Sequence, residues 1–405
     1  MNNINYNPNK IYYIFFSIFI FLEIFKYTTF LRNVNYYLIY LLVYFNILFL
    51  ILMTIKNFIT IKNLNDSYYN VSLIIFIFFS YLFLDFILGV NNSNNYGDYK
   101  FVFTTFLPWS ILLLAIFEGI YFYGKITLLK KVFKYVFFLG ILIIIIDRNF
   151  EGFARLFSFI YLLIIFLPFI NLKGKIFIII LSLMSLAIEG WRFNTLRIYF
   201  SYILVLLYYT PFLIKKIVAI ISNILLIAPI LLLFLYYNYS FDIFIYFGDS
   251  DLILTTSENT RSFLFDEMIN HLYTNDINLF LGAGSEATYE SDYFYNFEKN
   301  FSSGRYSSES GFLTLFFKSG LIALILMNLI FILIVNLILK STNNKFGLMV
   351  SLLISFNWFS FYIEYPITFN LSSFLFFYIL GLGLNRYYIS MNDLEIKQFF
   401  EQKIN

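Results

Sequence analysis

The sequence predicts an all-α polytopic membrane protein: about twelve transmembrane helices, with one large external (periplasmic) loop between the ninth and tenth. Three observations predict it. Residues are 60% apolar and only 13% charged, where a soluble domain carries about 25% charged residues. Apolar runs long enough to span a hydrocarbon core recur along the chain. And 12 of the 24 acidic residues crowd into one polar stretch, Asn238 to Glu309, beside only three basic residues, Arg261, Lys299 and Arg305.

In chain order, the predicted spans cover 11–31, 36–55, 71–90, 102–123, 132–147, 156–172, 176–190, 196–213, 217–237, 311–339, 346–363 and 367–388. The organisation is then residues 1–237 as spans one to nine, 238–310 as the loop, 311–389 as spans ten to twelve, and 390–405 as a cytoplasmic tail. The first run is read as a retained helix, because it is long, carries Glu23 and Lys26, and has no small-residue cleavage site. Orientation follows from lysine. Lys10, Lys56, Lys62, Lys125, Lys130, Lys131, Lys134, Lys173, Lys175, Lys215, Lys216, Lys340, Lys345, Lys397 and Lys403 all fall on one side. The positive-inside rule makes that side cytoplasmic, with both termini inside.

The arginines divide differently. Seven of eight (Arg32, Arg148, Arg155, Arg192, Arg197, Arg261 and Arg305) fall on the loop side, and only Arg386 opposite. A topology rule counts Lys and Arg together and does not explain the split. The planar guanidinium grips phosphate or carboxylate in two places, so the split points to an anionic ligand on the loop side. There is no cysteine and one histidine, His271, so neither a disulfide nor a thiolate or His-rich metal site is expected. A net charge of +3 over this length gives no indication of nucleic acid.

Within the loop, Leu264, Phe265, Met268, Ile269 and Leu272 recur at helical spacing. They predict a short amphipathic helix over 263–273, capped by Asn259 or Thr260, with Arg261 in its first turn. Helix-start N–H groups attract anions, and an Arg beside them strengthens a phosphate site; a salt bridge to Glu258 or Glu267 is the plainer role. Arg192 and Arg197 lie in the segment from Glu189 to Arg197, between spans seven and eight, where Thr195 is read as a cap and Arg197 as a first-turn cation; snorkelling to the interface is the alternative. Arg148 and Arg155 flank a short turn with Asp147 and Glu151 as local partners. Gly282 and Gly284 form a G-x-G that allows a tight turn and close backbone approach to a ligand. The stretch from Ser285 to Ser308 reads as polar and irregular. Glu309 opens the tenth span near Arg305, as a general base, an arginine partner or an N-terminal cap. Charges singled out inside the spans are Glu23, Lys26, Asp85 and Glu118; intramembrane carboxylates are functional candidates by default, or reach the interface.

This assembly resembles the O-antigen polymerase and ligase superfamily of bacterial envelope glycan enzymes. The resemblance rests on the late loop, on Arg261 near its start, on Gly282 and Gly284 after it, on Gly320-Leu321-Ile322-Ala323 as a G-[LI]-x-[GA] phrase, and on Arg192 or Arg197 between spans seven and eight. Ligases of the superfamily carry a His-Asn pair eleven residues before that glycine; here Glu309 and Ser310 stand there, which favours a polymerase. The resemblance implies metal-independent glycosyl transfer, without cofactor, from an undecaprenyl-diphosphate-linked glycan on the outer face of the inner membrane. Repeat units of O-antigen or capsule type would be polymerised, with arginines stabilising the diphosphate leaving group. Arg261, Arg197, Arg192 and Glu309 are then the catalytic candidates. Gly282, Gly284, Arg305, Arg148 and Arg155 are the substrate-binding ones. Membrane lipid, a chain-length regulator and a flippase are the implied partners. A ligase, a polysaccharide flippase or transporter, and a metal-dependent lipid-linked glycosyltransferase are the rivals. The last ranks low because its expected acidic motif in the first external loop is absent from Arg32 to Asn35.

The topology has a direct test. A reporter active only outside the cytoplasm is expected to be active when fused at Ser291 and silent when fused at Lys131. The reverse pattern overturns the orientation.

Overall fold

The computed structural model describes residues 66–120, 160–187, 192–239, 260–291, 305, 307–363, 367 and 371–404. The predicted spans 11–31, 36–55 and 132–147 lie outside them, as does the turn bearing Arg148 and Arg155. The described residues form helices, no strand, and one isolated β-bridge. Four helices are long and apolar enough to cross a membrane: α1 (Asp66–Asn92), α7 (Lys215–Tyr239), α9 (Gly311–Ser341) and α10 (Lys345–Ile363).

Between them, proline divides two predicted spans. Span 102–123 becomes α2 (Tyr96–Phe106), a 3-10 turn over Leu107–Trp109, and α3 (Ser110–Ile120). Pro108 carries no N–H for the helical ladder, so the helix stops and restarts there. Pro168 does the same to span 156–172, leaving α4 (Ile160–Ile164) and a 3-10 turn over Leu167–Phe169. Then follow α5 (Leu172–Ala187) and α6 (Arg192–Tyr208). Helix α6 begins at Arg192, so Thr195 is not its cap and Arg197 stands in its second turn.

Helix α10 is the axis. It is buried along nearly its whole length, while α1 and α7 keep apolar outward faces, among them Phe76 and Leu84 in α1 and Ile224 and Phe234 in α7. Faces of that extent suit hydrocarbon rather than water. Trp358 of α10 is fully buried and donates its Nε1–H to the Leu226 carbonyl of α7 at 3.1 Å. That contact falls beside the carbonyl of Leu225, which Pro229 leaves without its N–H partner. Helix α6 runs antiparallel to α10: Arg197 meets Ser360, and one turn on Phe200 stacks on Phe356 at 4.0 Å between ring centroids.

The last predicted span shortens to α11 (Leu371–Leu384). It crosses α3 through two glycines: a Cβ on Gly381 would sit 2.1 Å from the Ile116 carbonyl, and one on Gly119 2.4 Å from that of Tyr378. Small residues at a crossing let two backbones meet, which is how apolar helices gain packing energy in lipid. Asn385 ends the run by capping α12 (Arg386–Ser390) and donating to the Ile120 carbonyl at 2.8 Å. Within the predicted tail lies α13 (Asp393–Ile404), which packs back against the bundle. Phe400 joins Phe166, Phe169, Phe346 and Tyr388 in one aromatic cluster.

Helix α9 contains the main irregularity. Gly320 has φ 70° and ψ −172° in the middle of the span. That region of conformational space is open essentially to glycine alone and costs of order 1–3 kcal/mol for other residues. A Cβ there would also lie 2.3 Å from the Phe280 carbonyl oxygen. Gly320→Ala is therefore expected to destabilise the chain by about 3 kcal/mol or more. Thermal unfolding in detergent measures this, and a parent-like midpoint would show the break to be dispensable.

Candidate functional site at the loop end of the bundle

The predicted amphipathic helix is present as α8, Thr260–Thr274, with Arg261 in its first turn. All five predicted apolar residues are buried. Fifteen residues are too few for a stable helix in isolation, but burying five large side chains at roughly 1.5–3 kcal/mol each is ample to dock one. Phe265 packs on Tyr236 of α7 and Tyr362 of α10, at 5.3 and 5.4 Å. The Tyr236 hydroxyl donates to Asp266, and His271 lies 5.6 Å from the Phe317 ring of α9. Helix α8 thus sits across the ends of α7, α9 and α10. It ends in a left-handed turn at Asp276, φ 50°, with the Ile277 N–H reaching back to the Leu272 carbonyl at 3.0 Å.

The chain then inserts into the break in α9. In an unbroken helix the Leu321 and Ile322 N–H groups would reach the Phe317 and Lys318 carbonyls. Here Leu321 donates to the Leu279 carbonyl at 2.9 Å and Ile322 to that of Phe280 at 3.3 Å. The released carbonyls of Phe317 and Lys318 accept from Ala283 and Gly284, at 2.7 and 2.9 Å. The Ser319 carbonyl accepts from the Tyr81 hydroxyl of α1 at 2.8 Å. Gly282 and Gly284 both have positive φ, 76° and 99°. A Cβ on Gly282 would be 2.6 Å from Gly320 N and Lys318 O. The close approach expected of the G-x-G is made to the chain's own backbone at Gly320.

A charged cluster surrounds this junction. Lys318 is fully buried and donates to the carbonyls of Ser285, at 3.0 Å, and Ala287. Glu286 is its stronger electrostatic partner and Asp85 the weaker. Asp85 accepts from the Ser319 hydroxyl at 2.7 Å, and its backbone carbonyl accepts from the Ser285 hydroxyl at 3.1 Å. A buried ammonium without such partners would be strongly destabilising. Lys318 is a residue that hydropathy misses: it lies inside the predicted span 311–339, and its only signal is a charge two residues before Gly320. Asp85, the intramembrane candidate, takes part in fastening the loop. Glu118 is buried on α3 beside Tyr378, away from this junction.

Further along, Tyr289 and Arg305 form the β-bridge through two backbone hydrogen bonds of 2.9 Å. Tyr289 is fully buried, and burial pushes its hydroxyl up to about 12; Arg305 opposes the shift, while Glu267 and Glu309 add to it. Arg305, Glu267 and Glu309 therefore share the surroundings of one phenol. Burial lowers the His271 imidazole, with Glu290 opposing. Ser310, not Glu309, caps α9: its Oγ accepts from Leu313 N at 3.1 Å and donates to the Tyr362 carbonyl at 2.7 Å.

Arg197 is inside the bundle rather than at its surface, 3% exposed. It donates to Ser360 at 2.8 Å and lies 5.6 Å from the Tyr161 ring centroid. Ser360 is two residues from Tyr362, which touches Phe265 and Ser310, so the Arg197 site and the Glu309 site meet at one end of α10. Of the sequence-predicted residues, Arg197, Arg305, Glu309, Gly282 and Gly284 gather at this end of the bundle. Arg148 and Arg155, and the side chains of Arg192 and Arg261, lie outside the described residues.

The chain matches no family model, no curated protein and no solved structure.

Lys318→Met is expected to loosen the loop without unfolding the bundle. Losing hydrogen bonds from a charged donor costs about 1.5–3 kcal/mol, so local opening should rise roughly tenfold or more. The chain has no cysteine, so Ala287→Cys supplies a single thiol whose labelling rate reads that opening. Equal labelling with and without Lys318 would show that it does not hold the loop.

Proposed function

We propose that this chain is a metal-independent glycosyltransferase that polymerises lipid-diphosphate-linked oligosaccharide repeat units on the outer face of a bacterial inner membrane. The observation that carries the reading is the placement of cations: Arg197 is retained inside an apolar bundle, and Arg305 stands with Glu309 and Glu267 around Tyr289 at the same end of α10. Intramembrane charge is costly and is kept where a ligand or pathway needs it. The loop that carries Arg261 and the G-x-G is fastened to the bundle by backbone hydrogen bonds at Gly320, which makes a rigid support for a site.

In this reading an acceptor sugar hydroxyl attacks the anomeric carbon of the donor glycan. The bond from that carbon to the lipid diphosphate oxygen breaks, and the hydroxyl proton passes to a carboxylate, Glu309 or its neighbour Glu267. The diphosphate leaves with increased negative charge, and Arg261, Arg197 and Arg192 stabilise it. The bundle holds the isoprenoid and brings donor and acceptor together.

Two measurements test the reading. In a deletion strain, loss of the glycan ladder with one repeat unit retained supports a polymerase. Loss of all lipid A–attached repeats indicates a ligase instead, and intracellular accumulation of lipid-linked units a flippase. Arg261→Lys is expected to lose about 10²–10³-fold in polymerisation rate, nearly as much as Arg261→Ala, because a lysine keeps the charge but not the two-pronged grip. Full-length glycan from the Lys variant would reduce the residue to a general positive charge. Chelator is expected to leave the rate unchanged, and a divalent-metal requirement would favour the metal-dependent class.

A further inference from the structure

The neighbourhood of Arg197 contains buried polar groups that have no hydrogen-bond partner among the described residues. Asn357, on α10, is fully buried, and neither its Oδ1 nor its Nδ2 has a hydrogen-bond partner. The Tyr161 hydroxyl on α4 is equally buried and unpartnered, and it lies beside the Asn357 amide without completing a hydrogen bond to it. Asn357 is one turn from Ser360 on the same helix, and the Ser360 hydroxyl accepts from Arg197 while donating to the Asn357 backbone carbonyl at 2.7 Å. Ser201, one turn beyond Arg197 on α6, is also buried with an unpartnered hydroxyl. The antiparallel register of α6 against α10, fixed by the Phe200–Phe356 stack, puts Ser201 level with residues 356–357.

Buried polar groups are nearly always hydrogen-bonded, and one left unmade carries its full desolvation penalty. Here a phenol and a carboxamide meet each other short of hydrogen-bond geometry, next to a guanidinium. A purely structural site would be satisfied internally or filled with apolar side chains. An O–H donor, an N–H2 donor and a planar cation converging in an apolar interior match the several acceptor oxygens of a phosphate group. A neutral sugar could use the same carboxamide and hydroxyl groups; it is the guanidinium beside them that favours an anion.

We propose that Arg197, Tyr161 and Asn357 form a binding site for a phosphate-class anion between α4, α6 and α10. The headgroup of a polyisoprenyl diphosphate is the occupant that fits the proposed function, on which this assignment of source rests; an anionic phospholipid headgroup carries the same chemistry. Asn357 and Tyr161 are neutral donors that fix the orientation of the phosphate, and Arg197 supplies the charge.

The test measures binding, not glycan synthesis. The full chain is purified in phosphatidylcholine nanodiscs and titrated with farnesyl diphosphate, while Asn357→Leu, Tyr161→Phe and the parent are compared for binding and for thermal midpoint. The parent is expected to bind. Asn357→Leu and Tyr161→Phe should weaken binding about tenfold each, or about 1.4 kcal/mol, while the ligand-free midpoint of Asn357→Leu stays equal or rises, because an unsatisfied amide has been replaced by an apolar group. A structural asparagine would give the opposite stability result. Nanodiscs containing phosphatidylglycerol separate the two sources: undiminished farnesyl diphosphate binding assigns the site to the diphosphate lipid, and competition assigns it to the bulk headgroup, each upholding the phosphate site. No binding by the parent, or parent-like binding by both variants, overturns it. Binding in a chain whose deletion leaves the glycan ladder intact keeps the site and removes the polymerase reading.

Discussion

The exchange of backbone hydrogen bonds at Gly320 is the constraint on which the loop end of this molecule depends. A helix broken inside an apolar bundle leaves N–H and C=O groups that no water can satisfy, at several kcal/mol each. The chain solves this by donating a second segment of itself: residues 279–284 offer two carbonyls and two N–H groups, and take the complementary four from α9. Gly282 and Gly320 make the meeting sterically possible, Gly284 supplies the positive φ beside them, and Lys318, Asp85 and Tyr81 tie the same junction to the loop and to α1. The break and the loop are mutually required. Without the loop the broken helix is unsatisfied, and without the break the loop has no backbone to dock on.

This arrangement explains how a long polar loop can hold its side chains in fixed positions. Helix α8 alone is too short to persist, yet it is held by its apolar face on one side and by the docked segment 277–284 on the other. The bridge from Tyr289 to Arg305 then returns the chain to Ser310 and the start of α9. Arg305, Glu267 and Glu309 are therefore positioned by contacts on both sides of the loop rather than by the loop's own stiffness.

Local patterns were readable from the sequence; long-range partnerships were not. The face of α8 follows from five apolar residues at helical spacing, and α1, α7, α9 and α10 follow from apolar runs. The breaks at Pro108 and Pro168 carry an ordinary chemical signal that a hydropathy window averages away. The docking of Gly282 and Gly284 on Gly320 has a weaker one: each glycine permits an unusual φ, but nothing local says that the ligand of the G-x-G is another stretch of the same backbone. Lys318 was hidden because one ammonium scarcely changes the mean of a 29-residue apolar run, 311–339. The burial of Arg197 was hidden for another reason. Its position near a span boundary reads as interfacial, and only the start of α6 at Arg192 moves it inward by a turn.

The helix pair α6–α10 gives that inward arginine its fixed place. At one end Arg197 bonds to Ser360, in the middle Phe200 stacks on Phe356, and at the other end Lys345 donates to the Tyr208 and Thr210 carbonyls at 2.9 Å each. Those carbonyls are at the C-terminal end of α6, where backbone acceptors lack helical partners and a cation is favoured. Lys345 is itself held through its backbone N–H, which donates to Asp393 at the start of α13 at 2.7 Å. Asn344 beside it binds the Tyr388 and Met391 carbonyls at 2.7 Å each. The folded C-terminal segment thus sets the register of α10, α10 sets α6, and α6 sets Arg197. Two helices joined at both ends and in the middle cannot slide past each other without breaking all three contacts. A guanidinium carried on such a pair is preorganised, and a preorganised cation stabilises developing negative charge without first paying to reorient.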